Sequence, residues 1–254
     1  MASYREMGTH LRVLIVTGGH EFDENAFMSA FNDAPDFAVT QVAHDSTASG
    51  HFFDSEADAW NRIDPTEFDV VVLYDLVNRI SESQRRTFLS MFDHGIGLLA
   101  LHQSITSFPH WEEYEKILGG RFVIGDTPST TRHGLSENRY IPGDGTGTTQ
   151  WPYSDFRENV DVPVQVYDEE HPVARDLEEF TVRDLVYNGL RLQPDNRPLI
   201  ITPQIHAGHP YGWSRNYKAS RIIYLQLCHT PECQRNVGYQ ELVRRSVRWV
   251  GRAI

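Results

Sequence analysis

Four short apolar runs, spaced by stretches long enough for a helix, constrain this chain more than any other feature. They are LRVLIVT (11–17), FAVTQVAH (37–44), FDVVVLYD (68–75) and IGLLALH (96–102), rich in leucine and β-branched residues. Runs of this kind suit strands buried on both faces, as in a parallel sheet covered by helices. The segments between them carry helix signals. Asp23 can cap a helix whose Phe27, Ala30 and Phe31 share a face, and Ser81-Glu82-Ser83-Gln84 has the spacing of a capping box ahead of Phe88, Leu89 and Phe92, with Gly95 as the stop. A βαβαβαβ order predicts an α/β fold with a mostly parallel central sheet and right-handed crossovers.

The middle of the chain changes character. Residues 119–160 are rich in Gly, Thr, Pro and Asp and show little periodicity, which predicts an irregular, loop-rich insertion; within it, 140–153 could form a lid. Strand-like runs resume at 162–168, 180–188, 197–202 and 220–227, and a closing helix from about Gly238 presents Leu242, Val243, Val247 and Val250. At 254 residues and 40% hydrophobic composition, one domain over 1–254 can bury a full core.

Composition narrows the partners. A formal net charge of −12 argues against nucleic acid or an anionic membrane, both of which need clustered cationic surface. With no apolar run of membrane-spanning length and no apolar signal segment near Met1, a cytoplasmic protein is expected. Cys228 and Cys233 are too few for a disulfide framework or a convincing zinc pattern.

In open α/β sheets, ligands bind beyond the carboxyl ends of the strands. Here those ends read Gly18-Gly19-His20, His44-Asp45, Asp75, His102-Gln103-Ser104, Asp168 with His171 nearby, Asn188 and His229-Thr230. Imidazoles and carboxylates brought together can transfer protons near neutral pH or hold a metal. His102 stands where a nucleophile elbow would place Ser or Cys, but without the G-x-S-x-G frame. The turn after the first strand lacks G-x-G-x-x-G and a Walker lysine, so dinucleotide binding is not expected.

These pieces resemble the ThuA-like (trehalose utilisation) family. The likeness runs in order through LRVLIVTGGHEFD, FDVVVLYD, GIGLLALHQSITSFPHWEEYEKILGGRF, EEHPVARDLEEFTVRDLVYN and PYGWSRNYKASRIIYLQLCHT, nearly the whole chain. It implies a flavodoxin-like, class I glutamine amidotransferase-like three-layer sandwich in which His102 occupies the amidotransferase cysteine position, so that glutaminase chemistry is not expected. Carried over, the site would hold His20, His102, Asp184 and His229 as catalytic candidates, with Tyr187, Trp213 and Arg215 also matching family positions. Three departures stand out: Leu185 follows Asp184 where the family usually has Glu, Cys228 precedes His229 where it usually has Gly, and Lys218-Ala219-Ser220-Arg221 replaces a Gly-Lys-Gly-Arg turn.

A sugar site needs an aromatic platform and polar groups for hydroxyls. Tyr187, Trp213, Trp111 and Tyr217 could supply the former, Arg215 and Gln103 the latter. The expected function is carbohydrate metabolism of the trehalose-utilisation type, on a disaccharide or keto-sugar derivative. The expected chemistry is histidine-mediated proton transfer, isomerase- or lyase-like, with His102 as acid or base, His229 or His20 polarising the carbonyl and Asp184 orienting an imidazole. Two alternatives stay open: a metal-assisted hydrolase with a divalent ion such as zinc on His20, His102 and His229, and a non-catalytic sugar-binding or regulatory module. The partners expected are a small sugar and, through an exposed sheet edge, a second copy of the chain.

Overall fold

The computed structural model describes residues 10–45, 55–124, 154–204 and 210–254. The first half follows the predicted alternation: β1 (Leu11–Gly18), α1 (Glu24–Asn32), β2 (Phe37–Ala43), β3 (Val70–Asp75), α2 (Glu82–Asp93) and β4 (Gly97–Leu101). Every residue of β3 and β4 is buried, as their unbroken apolar character requires. The predicted caps form. The Asp23 side chain accepts from the Ala26 N–H, and Ser81 and Gln84 make both halves of the capping box.

Beyond β4 come α3 (Glu112–Leu118), β5 (Gly120–Arg121), β6 (Asp155–Val166), β7 (Phe180–Asn188), β8 (Arg191–Leu192), β9 (Arg197–Ile201), β10 (Gly212–Tyr217), β11 (Ser220–Leu225), α4 (Pro231–Gln234) and α5 (Val237–Val250). Among the described residues, nine strands join in the order β2-β1-β3-β4-β11-β10-β9-β6-β7, with β5 and β8 a separate pair. The β2-β1-β3-β4-β11 half is parallel, and each later neighbour pair is antiparallel. Two cores cover the sheet. Phe27, Phe31, Leu242, Val243 and Val247 pack with Val13, Ile15 and Tyr74 on one face, while Phe88, Met91, Phe92 and Ile117 pack with Leu14, Val71 and Leu98 on the other. Each fully buried aliphatic side chain of this kind contributes about 1.5–3 kcal/mol.

Two features depart from the sequence reading. Residues 155–160, grouped with the loop-rich insertion, are the first half of β6, whose polar residues suit an outlying strand; the 140–153 segment lies outside the described residues. β6 also runs against the parallel half, so Asp168 and His171 fall on the opposite edge of the sheet from the ends of β1, β3, β4 and β11. There Asp168 pairs with Arg197 at the start of β9, and the His171 ring packs against Trp249.

Register sets the functional edge. Leu101 pairs with Leu225 and Gly18 with Asp75, so His102 emerges opposite Gln226, and the Gly19-His20 turn stands beside the end of β3. Gly19 is required there. Its φ is +84°, and a Cβ would sit 1.8 Å from the Leu76 carbonyl oxygen. Gly19→Ala should cost about 1–3 kcal/mol, the range for a residue forced into a sparsely populated backbone region. Urea denaturation of this variant beside Gly95→Ala, where the nearest atom would be 3.3 Å away, checks whether the clash rather than the positive φ dominates. No helix among the described residues is long and apolar enough to cross a membrane.

Candidate functional site

At the end of β4 the chain turns sharply into a short 3-10 helix, His102–Thr106, and His102 takes up φ +46°. This strand-to-helix corner holds a non-glycine residue in the left-handed region, a strain that persists only where neighbours over-determine it. The neighbours are visible. The Tyr224 hydroxyl donates to the His102 carbonyl at 2.9 Å, and His102 Nδ1 lies 2.7 Å from the Gln226 carbonyl oxygen. A carbonyl only accepts, so Nδ1 carries the hydrogen and Nε2 presents a lone pair.

That lone pair meets two donors. His229 Nδ1 is 3.2 Å from His102 Nε2, and the Tyr187 hydroxyl is 3.3 Å from it. The Tyr187 ring stacks on His102 with centroids 5.0 Å apart and planes at 15°. His102 is fully buried, and desolvation, then the neighbouring His229, holds its pKa well below the imidazole norm. It is therefore neutral at pH 7. His229, by contrast, is only partly buried.

His229 owes its position to Asp184. The buried carboxylate of Asp184 accepts the backbone N–H groups of Cys228 (2.9 Å), His229 (3.0 Å) and Thr230 (3.1 Å). Burial raises its pKa, and those backbone donors act in the opposite direction. Asp184 thus orients the His229 backbone, not an imidazole ring as the sequence suggested. Cys228 sits at φ +106°, a conformation glycine would adopt freely, which gives a physical reason for the glycine that the family resemblance led one to expect there. The strain is held by Asp184 on the Cys228 N–H and by the Tyr74 hydroxyl on its carbonyl at 2.8 Å.

His20 approaches from the β1 turn. Its ring stands edge-on to Tyr74 at 4.7 Å, and Nδ1 lies 3.3 Å from the Glu21 carbonyl oxygen. Burial lowers its pKa, and His229 adds to the effect, placing the two rings within electrostatic reach. Among the described residues no group of three or more His, Cys, Asp or Glu side chains is arranged to hold a metal ion.

The aromatic and arginine candidates fare differently. Tyr187 and Gln103 belong to the corner; Gln103 is half-buried beside His102, with a buried and unpaired Oε1. Trp213 is fully buried, its indole N–H donating to the Leu118 carbonyl at 2.8 Å and its ring against Tyr224, so it has no polar atom left for a ligand. Trp111 packs with Phe88, Phe108 and Tyr114 in the core. Arg215 donates through its terminal nitrogens to Asn196 and Asp195, its Nε being buried with no partner among the described residues, and Tyr217 donates to Glu113. Sequence reasoning missed the Gln226 carbonyl, which no side chain announces, and the buried pair of His44 and Asp75, 3.3 Å apart, whose members appeared only as separate strand ends.

The depressed histidines fix a pH dependence. Between the free value of 6.5 and the folded value, which for His171 is about 4, the unfolded chain takes up protons that the folded chain refuses. Stability should therefore fall as pH drops below about 6.5, with Asp184, raised by burial, working in the opposite sense at the acid end. Urea midpoints at pH 7.5 and 5.0 check this, and His171→Gln should flatten the difference.

A family model described as "ThuA: Trehalose utilisation" matches residues 12–250. Among solved structures, a ThuA-like protein of Parabacteroides merdae superposes with TM-score 0.73 at 18% identity, covering 96% of this chain and 91% of that one. A ThuA-like protein of Bacteroides uniformis gives TM-score 0.62, also at 18% identity, covering 98% and 94%. A Thermoplasma acidophilum protein described as a component of GMP synthase gives TM-score 0.50 at 14% identity over 96% and 95%, in keeping with the amidotransferase-like fold. None of the curated proteins matches the sequence.

Proposed function

The chain belongs to the ThuA family, described by trehalose utilisation, and from that premise we propose that it moves a proton on a disaccharide or a keto-sugar derived from one. The family supports a carbohydrate-related role; the reaction is inferred from the histidine pair. The observation that carries it is the 3.2 Å contact between His102 Nε2 and His229 Nδ1, with His102 Nδ1 anchored on the Gln226 carbonyl. Because His102 is neutral and its Nε2 must accept, the hydrogen between the rings belongs to His229 Nδ1. His229 Nε2 is then a bare lone pair on the more exposed ring.

This arrangement exchanges the roles expected from sequence. His229 is the proton-transferring group, and His102 is the positioning residue that selects its tautomer. With a keto sugar bound, His229 Nε2 removes the hydrogen on the carbon next to the ketone, and the C–H electron pair moves into an enediolate. The imidazolium of His229 then returns the proton to the face of the carbon from which it came. General acid–base catalysis of this kind contributes about 10²–10⁴-fold.

Incubation of the protein with 3-keto disaccharides in D2O tests the proposal. Deuterium should appear at the carbon adjacent to the ketone by NMR. Unchanged spectra across a panel of keto sugars would sink it.

A further inference from the structure

Asp75 closes β3 at the same carboxyl edge, is fully buried, and has one oxygen with nothing to accept among the described residues. His44 Nε2 lies 3.3 Å from Asp75 Oδ2. His44 Nδ1 takes the Ala59 backbone N–H at 3.1 Å, so Nε2 is the ring nitrogen that carries the hydrogen toward Asp75. The backbone of Asp75 is fixed as well: its carbonyl accepts from the Ser107 hydroxyl at 3.3 Å, and the same hydroxyl accepts the Val77 N–H at 3.1 Å. Yet Asp75 Oδ1 is buried with no hydrogen-bond partner among the described residues. An unsatisfied buried carboxylate oxygen is costly enough to need an explanation.

Its surroundings supply one. Asp75 is the register partner of Gly18, two residues before His20, and the backbone it shares with Ser107 ties it to the segment that follows His102. Of the other unpaired buried atoms at this edge, Gln103 Oε1 is an acceptor and Gln226 Nε2 a donor. The edge at the ends of β3 and β4 therefore holds two acceptors, Asp75 Oδ1 and Gln103 Oε1, with no donor to either among the described residues. A ligand that brings O–H donors fits it.

Resting on the carbohydrate reading above, we propose that Asp75, held by His44, is a specificity-determining residue whose Oδ1 accepts one hydroxyl of the sugar. Asp75→Asn keeps the shape and the oxygen that faces His44, but turns the free oxygen into an N–H2 group that cannot accept. Hydrogen bonds to charged groups are worth about 1.5–3 kcal/mol, roughly 10- to 150-fold in binding.

Calorimetric binding of trehalose and its monodeoxy analogues tests this without any turnover. Asp75→Asn should weaken trehalose tenfold or more, and one monodeoxy trehalose should lose as much on the wild type while losing nothing further on the variant. Equal trehalose affinity in the two proteins overturns the inference, as does a wild type that binds neither trehalose nor its 3-keto derivative. Should the variant fail to fold, the wild-type series alone decides: if every monodeoxy analogue binds within twofold of trehalose, no single hydroxyl is read and the inference falls. If the pattern appears but no deuterium exchanges, the proton-transfer reading fails and Asp75 keeps its role.

Discussion

His229→Gln should slow deuterium wash-in by about 10²–10⁴-fold while moving stability by no more than about 0.5 kcal/mol. The fold tolerates the change because His229 is partly exposed, and because His102 Nε2 retains the Tyr187 hydroxyl at 3.3 Å as a donor. The rate does not, since glutamine has no basic nitrogen. His102→Asn makes the informative comparison. Asparagine accepts a positive φ more readily than most residues and keeps a side-chain N–H for the Gln226 carbonyl, but it lacks the second nitrogen that holds His229 in register. Its exchange rate should fall by about tenfold or more, the worth of one lost hydrogen bond. Its pH–rate profile should shift as well, which a purely structural role for His102 would not require. Single-turnover exchange across pH on both variants measures the two effects.

The second large effect is on stability. Asp184→Ala removes the acceptor of three consecutive N–H groups, that of buried Cys228 and those of partly buried His229 and Thr230. Breaking such a buried charged network costs about 3–5 kcal/mol, because what remains is a set of unpaired donors. Asp184→Asn keeps one acceptor oxygen and should lose about 1–3 kcal/mol. Urea denaturation at pH 7 reads both, with the m-value as a check that folding stays two-state. Both variants should also slow exchange, since the Asp184 contacts fix the backbone from which His229 projects. Two variants as stable as the wild type would remove Asp184 from the account of how the site is held.

Much of this arrangement is legible in the chain. The histidine that closes the fourth apolar run is conspicuous, because burial alone explains Leu98–Leu101 and gives no reason for an imidazole at His102. The parallel half of the sheet is equally plain, as strands buried on both faces have little choice of composition. The antiparallel half is not. β6 mixes polar residues with valines, and no local signal states that it runs against its neighbours and carries Asp168 to the far edge.

Aromatic side chains mislead for a physical reason. A platform for a sugar ring and a filler for a core call for the same residues, and as all three are buried only their contacts separate Tyr187, whose hydroxyl reaches His102, from Trp213, whose indole N–H is taken by Leu118, and Trp111, which packs among Phe88, Phe108 and Tyr114. Asp184 and Gln226 show the converse. Their work is done on or by the backbone, so the sequence marks neither partner. Nor does distance along the chain help with Asp75: its partner His44 stands 31 residues away, just past the strand at the edge of the sheet.

The tautomer of the histidine pair is the hinge of the whole account, and nitrogen-15 NMR of the imidazoles at pH 7.5 observes it directly. The prediction is hydrogen on Nδ1 of both rings, with His102 Nε2 accepting from His229 and His229 Nε2 bare. A His229 ring protonated at Nε2, with Nδ1 bare and facing His102, would contradict it.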